Sequence, residues 1–299
     1  MATQFSRMKF SFAVALCLSL FTATSFAQEN FKPLDQNSWN PGVHMAESMV
    51  LTLAHGKKVE EETDYGFCET CYLGAFLQPG NYSYMTMTLE QGQSYAFFGS
   101  TAGENTDLDI IVLDEYGNTV AEDTLTDNVP AVEFTPTVTA RYEIRLKLYS
   151  GDEGEFCGMT LMRKGGWSVP IDNLATATSR TLEYCERVAA QVPARFLQEP
   201  QEWAMIGTIM TEGAESGYSD MRLGNGRRAI VACGDKHTRD IDLTVSQDSP
   251  YVEIDSDTET DANPLLDFEA SGFMRYSLNI KNYESSGATL VMSAILDID

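Results

Sequence analysis

The sequence predicts a mainly β protein: two tandem antiparallel β-sandwich domains, jelly-roll-like, each preceded by an amphipathic α-helix. Three observations lead there. Residues recur at a displacement of 134, the apolar period in each copy switches from 3.6 to 2 after one helical stretch, and no further helical pattern separates the strands that follow. Pro130 returns as Pro264, Arg141-Tyr142 as Arg275-Tyr276, and Asp123-Thr-x-Thr-Asp127 as Asp257-Thr-x-Thr-Asp261. Leu89 and Gly92 return as Leu223 and Gly226, and Gly74 and Gly80 as Gly207 and Gly213 with one residue of slip. The repeat sets the expected organisation: a leader over 1–27, one helix-plus-sandwich unit over 28–164 and a second over 165–299.

The first stretch reads as an export address. Arg7 and Lys9 give a basic start, Phe10 to Phe21 is apolar apart from Ser11 and Ser19, and Ser25-Phe26-Ala27 supplies a cleavage site. Leu16 precedes Cys17 where a lipoprotein signal wants a small residue, which argues against a lipid anchor. No later run reaches the roughly 20 apolar residues of a spanning helix. The net charge of −24 becomes about two units more negative once Arg7 and Lys9 are removed. So acidic a surface excludes a nucleic-acid partner, whose phosphates demand a basic face. It also excludes charge-driven docking on anionic lipid. The expectation is a periplasmic or secreted protein with no membrane insertion after cleavage.

Each unit opens with a helix. In the first, Asn40 suits the N-cap and Pro41 the first helical position, and Val43, Ala46, Met49, Val50, Leu53 and Ala54 share one face. In the second, Asp172 is the expected cap. Leu174, Thr178, Thr181, Cys185, Val188, Ala189 and Val192 make the stripe before Pro193 ends it. Trp39 and Trp167 precede the helices as packing anchors. Strands follow. Leu108, Ile110 and Val112 point one way in the first copy, as do Ile241, Leu243 and Val245 in the second. Tyr142, Ile144, Leu146 and Leu148 alternate with charged residues, and Tyr276, Leu278 and Ile280 repeat the pattern. Such alternation belongs to half-buried antiparallel strands. Tyr116-Gly117-Asn118 is a hairpin turn. Ile111 and Leu113 place apolar groups on an outer face where the second copy has polar ones. That face calls for a cover, from the unit's own helix or from the second unit, and a fixed pair rather than beads on a string.

The order Leu89-Glu-Gln-Gly-Gln-Ser-Tyr95, Asp107-Leu-Asp109-Ile-Ile-Val-Leu-Asp114, Tyr116-Gly-Asn118, Val132-Glu-Phe-Thr-Pro136 and Arg141-Tyr-Glu-Ile-Arg145 resembles the bacterial pre-peptidase C-terminal domain. That family is a β-sandwich related to the collagen-binding modules of secreted collagenases. The resemblance runs over about Leu73 to Met162 and, more faintly, Ile206 to Leu296. It implies an accessory binding or secretion-linked module, with Ca²⁺ bound in some relatives. Ala140 and Met274 stand where the family usually has Gly, and a helix stands where its peptidase normally precedes.

Ca²⁺ takes six to eight oxygens, and the acidic residues Asp107, Asp109, Asp123 and Asp127, with Asp242, Asp255, Asp257, Glu259 and Asp261, are the candidate ligands. The competing reading is that these aspartates cap turns through local amides. Of six cysteines, Cys17 falls in the leader. Cys68, Cys71, Cys157, Cys185 and Cys233 are expected in structural disulfides with one left over. Cys185 is a natural partner for Cys233, and Cys157 for Cys68 or Cys71. Histidine is confined to His44, His55 and His237, and no metalloprotease, nucleophile-elbow or phosphate-loop motif occurs. Tyr82, Tyr84 and Tyr95 offer sugar-stacking rings, against ordinary edge packing. Arg141, Arg145 and Lys147 offer a charged face, against ion pairing within the sheet. The function expected is an exported, non-enzymatic binding or accessory protein recognising an extracytoplasmic protein or polysaccharide. The alternative is a structural or assembly subunit of the cell envelope, stabilised by Ca²⁺.

Overall fold

The computed structural model describes residues 42–103, 105–152 and 154–299, with side chains from residue 45 onward. The leader, Trp39, the Asn40-Pro41 cap and the side chains of Val43 and His44 lie outside the described residues. The first unit runs α1 (Gly42–Glu62), β1 (Tyr65–Leu77), β2 (Tyr82–Leu89), β3 (Tyr95–Thr101), β4 (Asp107–Leu113), β5 (Thr119–Asp123), β6 (Ala131–Phe134), β7 (Ala140–Ser150) and β8 (Glu155–Lys164). The second runs α2 (Ile171–Ala189), β9 (Ala194–Phe196), β10 (Met205–Met210), β11 (Glu215–Met221), β12 (Gly226–Gly234) and β13 (Thr238–Asp248). It continues through β14 (Tyr251–Asp257), β15 (Leu265–Ala270), β16 (Tyr276–Ser285) and β17 (Thr289–Ile298).

Both units weave eight antiparallel strands in the same order. The first has β1-β8-β3-β6 facing β2-β7-β4-β5, and the second has β10-β17-β12-β15 facing β11-β16-β13-β14. That is the two-sheet arrangement of a jelly roll. The inward residues named from the alternation pack between the layers: Leu108, Ile110, Val112, Ile144, Leu146 and Leu148 in one unit, Ile241, Leu243, Val245, Leu278 and Ile280 in the other. The hairpin turn forms as expected, with Gly117 at φ 80° and the Asp114 carboxylate accepting from the amides of Tyr116 and Asn118 at 2.9 and 2.8 Å.

The units are fused. β1 pairs antiparallel with β10, matching Tyr72 to Gly207 and Gly74 to Met205, so the inner layers form one nine-stranded sheet. Both helices lie on the outer face of this shared sheet, α1 over β8, β3 and β1, α2 over β12 and β17. The molecule therefore has three layers, and the two units share one hydrogen-bonded sheet. Burying Met49 and Leu53 there stabilises by about 1.5–3 kcal/mol each.

Several expectations are corrected. The buried stripe of α1 is Met45, Ser48, Met49, Thr52, Leu53, Ala54 and Gly56, so Met49, Leu53 and Ala54 lie where expected while Ala46 and Val50 are only half-buried. The helix is rotated because two polar residues face inward with partners. Thr52 and Ser100 share a hydroxyl contact of 2.5 Å, and Ser48 Oγ accepts from the Ala102 amide at 2.8 Å. In α2 Leu174, Thr178, Thr181 and Cys185 are buried as expected, joined by Ala177 and Leu182, while Val188 and Ala189 are half-buried and Val192 lies past the helix end. Pro170 occupies the cap and Asp172 lies in the first turn. The cover foreseen over Ile111 and Leu113 comes neither from α1 nor from the second unit, since both helices sit on the other sheet. Their cross-strand partners Arg145 and Glu143 ion-pair on that face instead. All five described cysteines are buried free thiols, so no structural disulfide forms. Cys71 and Cys68 belong to different cores because they point to opposite faces of β1, and Cys233 donates to Asn263 Oδ1 at 3.4 Å rather than bonding Cys185.

Candidate functional site

The fusion leaves a cleft where β2 and β11, the neighbouring edges of the two outer sheets, come together over β1 and β10. Its volume is about 180 Å³ and its walls include Tyr84, Arg141, Glu202, Trp203, Tyr218 and Asp220. The segment that builds it exists in one unit only. β1 is continuous, whereas its counterpart is split into β9, a connection, and β10. β9 pairs with Leu296, Asp297 and Ile298 as Phe67, Gly66 and Tyr65 pair with Met162, Arg163 and Lys164. The extra residues between β9 and β10 run along β2. Gln201 forms a parallel bridge with Ser83 and donates from Nε2 to Tyr82 Oη at 2.7 Å. Ser83 donates to the Glu202 carbonyl at 2.8 Å, and Trp203 Nε1 to the Tyr84 carbonyl at 2.8 Å.

Two residues of this cleft, Gln201 at φ 69° and Asp220 at φ 65°, adopt a left-handed backbone without being glycine. Each such residue costs about 1–3 kcal/mol and persists where its surroundings over-determine it. Glu202 is largely buried between them. Loss of hydration holds its carboxyl up to about 7, outweighing the Arg222 amide and charge, which pull the other way. The Arg222 amide donates to it at 2.9 Å. Tyr218 Oη bridges the seam to Thr70 at 3.3 Å and to Thr208.

The aspartates expected to bind Ca²⁺ divide into two sets. Asp123 accepts from the amides of Leu125 and Ala131, and Asp257 from those of Glu259 and Leu265. Asp127 accepts from Val129 and Asp261 from Asn263, and Asp255 from Ser256 and Asp267. These carboxylates are spent on backbone, in the same pattern in both copies. The second set is the Asp-x-Asp at the start of β4 and β13. Asp107 Oδ1 and its counterpart Asp240 Oδ1 are buried without a partner. Asp109 and Asp242 are held above the ordinary carboxylate range by desolvation first and the neighbouring aspartate second. Lys147 approaches Asp109 at 3.9 Å. Asp240 was missed as a candidate although its displacement of 133 from Asp107 points to it. Among the described residues no three His, Cys, Asp or Glu side chains form a group able to hold a metal ion.

The other sequence candidates are placed plainly. Tyr95 is core, and Tyr82 and Tyr84 lie 6.3 Å apart at the sheet edge. Arg145 ion-pairs with Glu143 and stands over the Tyr82 ring at 4.6 Å, Lys147 faces Asp109, and Arg141 lines the cleft. His55 is lowered by burial and then by Lys58, and His237 Nδ1 meets Ser286 Oγ at 3.2 Å. Burial pushes the Cys68 thiol up to about 12 and Cys233 to about 11, the opposite of an activated nucleophile.

No protein-family profile matches the chain, and no curated protein does. Solved structures resemble it at the level of fold. The pre-peptidase C-terminal domain of a collagenase from Bacillus anthracis aligns with 11% identity and a TM-score of 0.27, over 31% of this chain and 88% of that one. PliG from Aeromonas hydrophila, a periplasmic inhibitor of g-type lysozyme, aligns with 10% identity and a TM-score of 0.25, over 32% and 86%. Tandem CBM51 modules of a family 98 glycoside hydrolase from Streptococcus pneumoniae align with 12% identity and a TM-score of 0.23, over 75% and 82%. Likenesses this low carry nothing about function. No helix among the described residues is long and apolar enough to cross a membrane.

Proposed function

We propose that the protein is a non-enzymatic binding protein, exported beyond the inner membrane, whose protein or polysaccharide ligand seats in the cleft between β2 and β11. The observation that supports this is the gathering there of two left-handed non-glycine residues around a buried, neutral-titrating Glu202. Strained backbone and a displaced pKa belong together at sites that recognise something. The cleft walls are aromatic and polar, and the continuous sheet beneath holds them in fixed register, so little ordering is lost on binding. Gly217 gives the test, because a Cβ there meets only the Leu278 carbonyl, at 3.9 Å. Gly217→Trp is expected to fold and to place a bulky ring at the cleft wall that Gly217 lines. Envelope extract and a panel of cell-wall polysaccharides are passed over immobilised wild type and G217W. A component retained by the first and lost by the second is expected. Equal retention by both, or none by either, overturns the reading.

One observation favours the structural alternative. β14 is a sheet edge, and Tyr251, Val252 and Ile254 on it are exposed, an unpaired apolar edge of the kind that joins copies. Mass growth with concentration in light scattering supports assembly, and a constant monomer mass supports binding. Ca²⁺ stays a proposal of its own. The carboxylates still open to it are Asp107 and Asp109, and Asp240 and Asp242, each pair needing carbonyl and water oxygens to reach six. A rise in melting temperature at millimolar Ca²⁺, reversed by EDTA and lost in Asp107→Asn with Asp240→Asn, is its test; no rise removes it.

A further inference from the structure

A second cavity lies far from the seam, on the helix side of the second unit. Its volume is about 490 Å³, within the range of small-ligand sites, and it opens between the C-terminal half of α2 and the edge strand β15. Val188, Val192, Ala229, Leu265 and Ile298 form an apolar floor. Arg187 stands over the Tyr184 ring at 4.8 Å on one side, and Arg227 is paired bidentately with Asp267 on the other.

The first unit shows what this place is shaped for. Register pairs Ala96 with Glu133 there, as it pairs Ala229 with Asp267 in the second unit. The equivalents of Asp267, Arg227 and Ile298 are therefore Glu133, Ser94 and Lys164. Those three residues surround Tyr65. Its hydroxyl donates to Glu133, Ser94 also hydrogen-bonds it, and Lys164 Nζ lies 5.6 Å from its ring centroid. Tyr65 reaches from β1 across β8 and β3 to β6, so its ring fills the first unit's version of the groove. It pairs with Lys164, and the residue paired with Ile298 in the same way is Ala194. The second unit keeps the alanine and the acidic residue, Ala229 and Asp267 for Ala96 and Glu133, but has Arg227 and Ile298 for Ser94 and Lys164, and Ala194 for the ring.

We propose that the groove of the second unit binds a phenolic aromatic group, the group the first unit supplies from its own chain. The ring lies over Ile298 and Ala229 beside Leu265, and its hydroxyl meets the Arg227–Asp267 pair as that of Tyr65 meets Ser94 and Glu133. A free phenol and a tyrosyl side chain of a polypeptide share this chemistry.

The experiment titrates full-length protein with p-cresol and with a short Tyr-containing peptide, following backbone amide resonances. Saturable shifts centred on Arg187, Ala229, Leu265 and Ile298 are expected at up to about 1 mM ligand. Ala194→Tyr, which restores the missing ring, should weaken binding at least tenfold while the protein remains folded. Leu265→Trp fills the groove from its half-exposed rim and should do the same if Ala194→Tyr does not fold. Tyr65→Ala should create a second site reporting on Glu133 and Lys164. Peptide binding at least tenfold tighter than p-cresol assigns the group to a polypeptide, and equal affinity assigns it to a free phenol. Absence of saturable shifts at these residues with either probe, or unchanged affinity in a folded filled-groove variant, overturns the proposal.

Discussion

Replacing Glu202 by Gln should make the protein more stable, increasingly so as pH rises from about 4.5 to about 7. Glu202 titrates at about 7 in the folded chain against an ordinary 4.5. The folded state thus holds a proton that the unfolded chain has already released, and stability falls with rising pH through that window. Below 4.5 the side chain is neutral in both states and costs nothing. Above 7 it is charged in both, and the buried charge withdraws roughly 3 kcal/mol, taking 1.36 kcal/mol for each pH unit between the two values. Glutamine keeps the Oε1 acceptor used by the Arg222 amide at 2.9 Å and carries no charge. The two proteins should differ least near pH 5, diverge up to about pH 7 and keep the full difference at pH 8. There E202Q should lead by roughly 6–12 °C, at 2–4 °C for each kcal/mol. Thermal unfolding followed by circular dichroism at pH 5, 6, 7 and 8 measures this. A difference that is flat across that range, or a less stable E202Q at pH 8, refutes the account of the cleft as a place that strips water from this carboxyl.

Other outcomes follow from single contacts. Gly207→Val places a Cβ 2.7 Å from Met292 Sδ and 2.9 Å from Tyr72 Cβ at the seam. It should lower stability by about 1–3 kcal/mol, whereas Gly217→Val on exposed β11 should stay within about 0.5 kcal/mol in the same melts. Asp235 is fully buried and accepts from the His237 amide, the Thr289 hydroxyl and the Leu290 amide at 2.8, 2.8 and 3.0 Å. Asp235→Ala strands all three donors and should cost about 3–5 kcal/mol in urea unfolding, with Asp235→Asn falling between. In the chain without residues 1–27, a chromogenic disulfide reagent should find no fast-reacting thiol in the native protein and five, Cys68, Cys71, Cys157, Cys185 and Cys233, in denaturant without reductant. A smaller denatured count would restore a disulfide.

Local grammar was legible because it is written in adjacent residues. The alternation of β4 and β7 named their buried faces, since strand side chains alternate by covalent geometry alone. Turn chemistry was one of two readings of the duplicated D-T-x-T-D loops, and in both copies their carboxylates hold amides a few residues away. What failed were inferences about distant partners. The stripe of α1 was partly misplaced because Thr52 and Ser48 look like surface residues until Ser100 and the Ala102 amide meet them. Disulfides were expected from five cysteines in an oxidising compartment, with one left over, yet Cys68 and Cys71 point into different cores from one strand. The cleft residues Gln201, Glu202 and Trp203 carried no motif, and the one available signal was the change of repeat displacement before β10, which marks inserted residues.

By itself the sequence determined that one unit is written twice and that each unit is a helix followed by half-buried antiparallel strands, while it left its acidic loops between turn capping and Ca²⁺ binding. Those properties depend on period and spacing, which neighbours along the chain settle. Tertiary structure decided that β1 and β10 zip the units into one sheet, that a cleft opens between β2 and β11, and that the groove filled by Tyr65 in one half stands open beside Ala194 in the other. Each of these depends on residues far apart in the sequence, from 68 positions for Tyr65 and Glu133 to 135 for Tyr72 and Gly207. An edge strand carries the same alternating pattern whether it meets water or another edge, and only folding reveals which.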